Sequence, residues 1–133
     1  MAIQLSVAAR NGRLDAFETE LGASPVLKIR TGAQPADCAT ADSGTVLATL
    51  SLPADAFAAA GSGAKAKSGT WQDTVADASG TAAHFRLYKT DGTTCVMQGS
   101  VGQGSGDLSL DNVTIVAGQQ VTINTFTVTD GNA

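Results

Sequence analysis

From Gly22 onwards, glycine cuts this chain into short pieces. No two successive glycines there lie further apart than Gly44 and Gly61, and Pro53 divides that interval. Pieces bounded this closely leave little room for a long helix, but they suit strands of five or six residues. Several of them alternate apolar and polar residues with a period of two, as a half-buried strand does. Val46, Ala48, Leu50 and Leu52 share one face of 45–52. Residues 25–31 and 108–110 read as further strands, 71–78 as a weaker one, and 113–129 as a hairpin. Within that hairpin Val121 and Ile123 share a face while Phe126 and Val128 have the opposite parity. The phase slip near Asn124 and Thr125 predicts a bulge or bend where a strand turns between two sheets.

The stretch before Gly22 is different. In 5–21, Val7, Leu14, Phe17 and Leu21 recur at helical spacing, and Gly22 stands where a helix-ending glycine belongs. Arg10 and Arg13 come early and Glu18 and Glu20 late, against the helix dipole. Such a helix needs packing from elsewhere. Its apolar stripe, Val7, Leu14, Phe17 and Leu21, is therefore a candidate interface with a neighbouring subunit. Residues 32–43 read as a long polar loop. Pro53 opens a helical turn or two over 53–60, and 61–69 reads as a flexible connector. The expected architecture is a single domain over 1–133. It is mainly β, an antiparallel β-sandwich of jelly-roll type with an N-terminal α-helix.

Composition narrows the function. Hydrophobic residues make up 43% of the chain and charged residues 15%, a balance that favours a packed core over disorder. The net charge of −4 and the scattered basic residues give no footprint for nucleic acid. No run is long enough to span a membrane. The N-terminal stretch does not read as a secretory signal, so a cytosolic origin is expected. In a reducing cytosol, Cys38 and Cys95 are read as buried free thiols, with a disulfide as the alternative.

The chemistry-bearing stretch is 82–101, which holds the only His and the only Tyr. A three-residue loop, Thr90, Asp91 and Gly92, would pair Leu87 with Cys95 and Phe85 with Met97 on one face. It would pair Tyr88 with Thr94, Arg86 with Val96 and His84 with Gln98 on the other. A two-residue Asp-Gly loop would mix the faces, pairing Phe85 with Gln98. The longer loop is therefore preferred, with Cys95 inward and His84 outward, solvated or at an interface. That separation denies the pair the hydrogen-bond reach of a nucleophile and its base. No metal-ligand spacing, phosphate-binding loop or paired acid stands out, so no catalytic, cofactor-binding or metal residue is assigned. Trp71 and Tyr88 could line a glycan site, although a lone Trp is more often core.

Four stretches together resemble a group of small proteins encoded in the virion structural regions of tailed bacteriophages and prophages. They are LSVAARNGRLDAFETELGASPVLKIRTGAQP, SGTVLATLSLPADAF, KSGTWQDTVADASGTAAHFRLY and VTINTFTVTDGNA. The resemblance implies a virion component, made in many copies and assembled in the host cytoplasm. A capsid-bound decoration or cement protein is the first expectation. It would contact the major capsid protein or other virion proteins and self-associate, as a trimer by analogy with decoration proteins at threefold positions. A head–tail or tail-associated component, or a receptor- or glycan-binding module of a fibre or spike, are the alternatives.

Overall fold

The computed structural model describes residues 3–130. It is mainly β, with one helix, α1, at Val7–Leu21. Ser6 caps α1, its hydroxyl oxygen accepting the Ala9 N–H at 3.1 Å. Gly22 ends it with φ 80°, donating its N–H to the Glu18 carbonyl. Three of the four charges that oppose the dipole form ion pairs elsewhere in the fold. Arg13 pairs with Asp130, Glu18 with Lys65 and Glu20 with Lys89. The apolar stripe is spent largely inside the chain. Leu14 and Leu21 are buried, Phe17 packs edge-on against Phe57 at 5.5 Å, and only Val7 is exposed.

The main sheet contains β1 (Val26–Arg30), β2 (Val46–Ser51), β6 (His84–Tyr88), β7 (Cys95–Gln103) and β8 (Leu108–Leu110), in the order β2-β1-β6-β7-β8. All neighbours are antiparallel except β7 and β8. Three two-stranded ladders complete the described residues: β3 (Ala64–Ala66) with β11 (Thr127–Thr129), β4 (Trp71–Asp73) with β10 (Val121–Ile123), and β5 (Gly80–Thr81) with β9 (Thr114–Ile115).

One face of the sheet is apolar. Leu27 lies opposite Leu50 and Leu87, and Ile29 opposite Ala48 and Phe85. It shares a single core with Leu47, Phe57, Trp71, Leu108, Ile115, Ile123 and Phe126 from the strands and ladders around it. Trp71 is wholly buried, between Phe57 and Phe126 at 5.3 and 5.7 Å, so it is core and no glycan platform. The phase slip is real. Asn124–Phe126 breaks the strand, and the chain passes from the β4 ladder to the β3 ladder with Ile123 and Phe126 both in the core.

Several local expectations are corrected. Residues 53–60 are not helical, and 61–69 is no loose connector. Phe57 bridges Lys67, Gly61 bridges Ala64, and the Ala58 and Ser68 N–H groups bond Ala66 O and Ala56 O. Ser62 and Gly63, at φ 52° and 74°, make the two-residue turn with positive φ that suits a hairpin. The gain is burial of Ala56 and Phe57, which a helical turn would not place together on this hairpin. The strand at 71–78 stops at Asp73, because that carboxylate takes the Thr49 and Val75 N–H groups and turns the chain. Residues 113–129 do not pair with each other: β9 and β10 each find a distant partner.

The 84–98 register is also corrected. Leu87 lies opposite Met97, Phe85 opposite Gly99, Arg86 opposite Gln98 and His84 opposite Ser100. This is a slip of two residues from the expected pairing, so those residues keep their faces. The loop is longer because Asp91 captures the Thr93 and Thr94 N–H groups and the Thr94 hydroxyl. Lys89 then bonds Thr94, not Thr93. A bulge beyond Leu87 sets Cys95 opposite Tyr88 and turns it to the polar face, away from Phe85 and Leu87.

Candidate functional site

The second face of the sheet carries Lys28, Arg30, His84, Arg86, Tyr88 and Gln98, from positions that alternate with the core residues. This is not a solvated face, as the sequence suggested. Every residue of β6 is buried, because residues 32–44 fold back over it.

Arg86 is the centre of the contact. Its Nε donates to Gln98 Oε1 at 3.1 Å and its Nη1 to Asp42 Oδ1 at 2.8 Å. Its Nη2 donates to the carbonyls of Asp37 and Thr40 at 2.8 and 2.9 Å. Only 2% of Arg86 is exposed, and a planar five-donor fork suits such a multi-acceptor pocket better than a lysine would. Asp42 also accepts from the Tyr88 hydroxyl at 2.7 Å and from Arg30 Nη2 at 3.1 Å. Gln98 Nε2 reaches Pro35 O at 2.7 Å.

Electrostatics follow from this geometry. Burial pushes the Asp42 carboxyl up, but the Tyr88 hydroxyl, Arg86 and Arg30 outweigh it and hold it below its usual value. Burial and the hydrogen bond to Asp42 together push the Tyr88 phenol up. His84 is buried, contrary to the outward placement expected. Its Nδ1 lies 2.9 Å from Gly32 O, which can only accept, so Nδ1 carries the proton. Its Nε2 is buried without a partner.

A covalent link joins the same two pieces. Cys38, in the loop, and Cys95, on β7, form a disulfide across a Cα–Cα distance of 5.3 Å. The free-thiol expectation fails because the bulge turns Cys95 toward the loop. What the arrangement does chemically is fasten a loop to a sheet. Each polar group of Arg86 and Asp42 is engaged inside the chain.

A smaller clamp holds α1. Lys65, 1% exposed, places Nζ 2.7 Å from both Asp15 Oδ1 and Glu18 Oε1. Burial alone would lower its pKa, but the two carboxylates outweigh it and raise it. Sequence reading missed Lys65 by placing it in a connector. The signal was available: Asp15 and Glu18 are three apart on one helical face.

Two surface clefts stand out among the described residues. One of about 220 Å³ is lined by Asp111, Asn112, Gln119, Gln120 and Thr122 over Leu110, Ile115 and Val121. The other, of about 290 Å³, lies between β7 and β11. Among the described residues no group of three or more His, Cys, Asp or Glu is arranged to hold a metal ion, and no helix is long and apolar enough to cross a membrane. Compared with family models, with curated proteins and with solved structures, the chain finds no match.

Proposed function

We propose that the chain is a structural component of a tailed-phage virion, a capsid-bound decoration or cement protein assembled in the host cytoplasm. The observation that carries this reading is the clamp on the 32–44 loop. The most concentrated polar chemistry of the fold is spent on holding its own surface rigid, which serves a protein that must present a fixed face to a lattice. The resemblance of the four quoted stretches supplies the virion context. The disulfide fits the same history: it closes once particles leave the reducing cytosol. In architecture, the five-stranded sheet would be one layer of a sandwich and the three ladders the other. The partners would be the major capsid protein and further copies of this chain, arranged as a trimer.

A second reading, a receptor- or glycan-binding module, draws on the cleft at Asp111, Asn112, Gln119 and Gln120. Carboxylate and amide groups over an apolar floor suit sugar hydroxyls. A head–tail position is the third. Quantitative mass spectrometry of purified particles separates them. A decoration protein is present in numbers comparable to the major capsid protein and is labelled over the head by antibody. A count of a few copies per particle, with label at the tail or its tip, would overturn the decoration reading.

A further inference from the structure

The cleft of about 220 Å³ lies where β8 ends and β10 begins, beside β9. Leu110, Ile115 and Val121, all buried, make its floor. Four polar side chains line it above that floor, and bonds within the chain fix what each one offers. Asn112 Oδ1 accepts the Thr114 N–H at 2.9 Å, and Gln119 Oε1 accepts the Val116 N–H at 3.0 Å. A backbone N–H can only donate, so in both amides the oxygen is turned to the chain and the NH2 end is left over. Gln120 is the reverse. Its Nε2 donates to Gln72 Oε1 and to Thr122 Oγ1, each at 3.1 Å, which leaves Oε1 as an acceptor. Asp111 receives one long contact among the described residues, from Asn124 Nδ2 to Oδ2 at 3.5 Å, and its Oδ1 is left over.

The cleft therefore offers two amide donors, a carboxylate and an amide acceptor, each already oriented. The frame beneath them is tied down. The Ala117 and Gly118 N–H groups bond Ser79 Oγ and Ala76 O at 2.9 Å each, and the Ala76 N–H bonds Gln119 O at 2.8 Å. Such preorganisation reduces the entropy lost when a ligand is held. A sugar hydroxyl both donates and accepts, which suits this mixed set, and the C–H face of a sugar ring suits the apolar floor. Among the described residues no Lys or Arg lines the cleft, so an anionic ligand would bring its charge, unpaired, against Asp111. The volume falls below the roughly 300–1,000 Å³ of a drug-sized site, so it suits a single ring.

We propose that this cleft binds one neutral sugar residue. The ring lies on Leu110, Ile115 and Val121. Its hydroxyls accept from Asn112 Nδ2 and Gln119 Nε2 and donate to Asp111 and to Gln120 Oε1. This deepens the glycan-binding reading and rests on it for the source of the sugar. A ligand of about a dozen non-hydrogen atoms, at ordinary efficiency per atom, binds with a dissociation constant of about 1 mM. Many such weak sites on one particle would act together.

The test titrates the isotope-labelled chain with methyl α-glucoside, methyl α-galactoside and methyl α-mannoside, followed by proton–nitrogen correlation spectra. Glucuronic acid is the anionic comparison. At least one neutral hexoside should shift the side-chain NH2 signals of Asn112 and Gln119 saturably, at about millimolar concentration. Glucuronic acid should bind about tenfold or more weakly. The single variants Asn112→Asp and Gln119→Glu keep the oxygens that accept the Thr114 and Val116 N–H groups and replace only the NH2 ends. Each should keep its circular dichroism spectrum and bind that hexoside about tenfold or more weakly, read at the backbone amides of Val121 and Thr122. No saturable shift with any of the three hexosides, equal binding of glucuronic acid, or undiminished binding by both variants overturns the proposal. Adsorption of the chain to bacterial surface polysaccharide separates this failure from that of the wider reading. Adsorption that both variants leave unchanged places glycan binding elsewhere on the chain and overturns the cleft. No adsorption, with no hexoside bound, overturns the glycan-binding reading as well.

Discussion

Gly99 shows how closely a single residue is constrained. It lies opposite Phe85, and a Cβ built there would come within 2.7 Å of the Phe85 ring and 2.9 Å of the Asp107 carboxylate. Phe85 cannot simply move away, because it packs edge-on against Phe126 at 5.6 Å. Gly99→Ala should therefore cost about 1–3 kcal/mol, the usual range for overpacking, read as a lower urea midpoint with an unchanged slope. An unchanged midpoint would mean the ring has room. Sequence pattern could not reveal this need, since it depends on which strand residue ends up facing Gly99. His84 teaches the same lesson. Its parity was legible, but its burial depends on a loop fifty residues upstream in the chain.

At the scale of elements, the 32–44 loop is fixed twice, by Arg86 and by the disulfide. Cys38 and Cys95 are 57 residues apart, and a link over a loop of that size contributes about 4 kcal/mol in the chain-entropy account. Reduction should lower unfolding stability by about that amount. Yet the reduced protein should stay folded at neutral pH, because the Arg86 bonds to Asp42, Asp37 and Thr40 remain. Urea titrations with and without reductant give the first number. Amide exchange then tests the second claim: rates over 32–44 should rise on reduction without reaching those of an unfolded chain. Full exposure of the loop would show that the disulfide alone holds it. The helix, both early strands and the change of phase near Asn124 were legible because each follows from local periodicity. The hairpin register was not, because Asp91 and a bulge add residues to a turn whose simplest form is shorter.

At the scale of the whole molecule, the clamps set a pH window. Asp42 and Asp91 titrate below their ordinary value of 3.8, Asp91 at about 2 because Thr94 and Thr93 donate hydrogen bonds to it. A depressed carboxylate stabilises the fold fully above its unfolded value, and this is lost as pH falls through the folded one. Lys65 and Tyr88 are raised above 10.5 and 10.0. Their contributions are full below those values and are lost as pH rises through the folded ones. The melting temperature should thus be nearly level between about pH 5 and pH 9 and fall on both sides. A steep slope within that interval would point to a different titrating group.

The sequence by itself determined that this chain is mainly β with one N-terminal helix, and which of residues 84–88 share a face. These follow from side-chain period and glycine spacing, which act over a few residues. The tertiary structure alone decided that the polar face of β6 is covered, that Cys95 meets Cys38, and that Lys65 is buried between two acids of α1. Each of those is a contact between segments dozens of residues apart. Its free energy depends on which surfaces the fold brings together, and no local pattern carries that information.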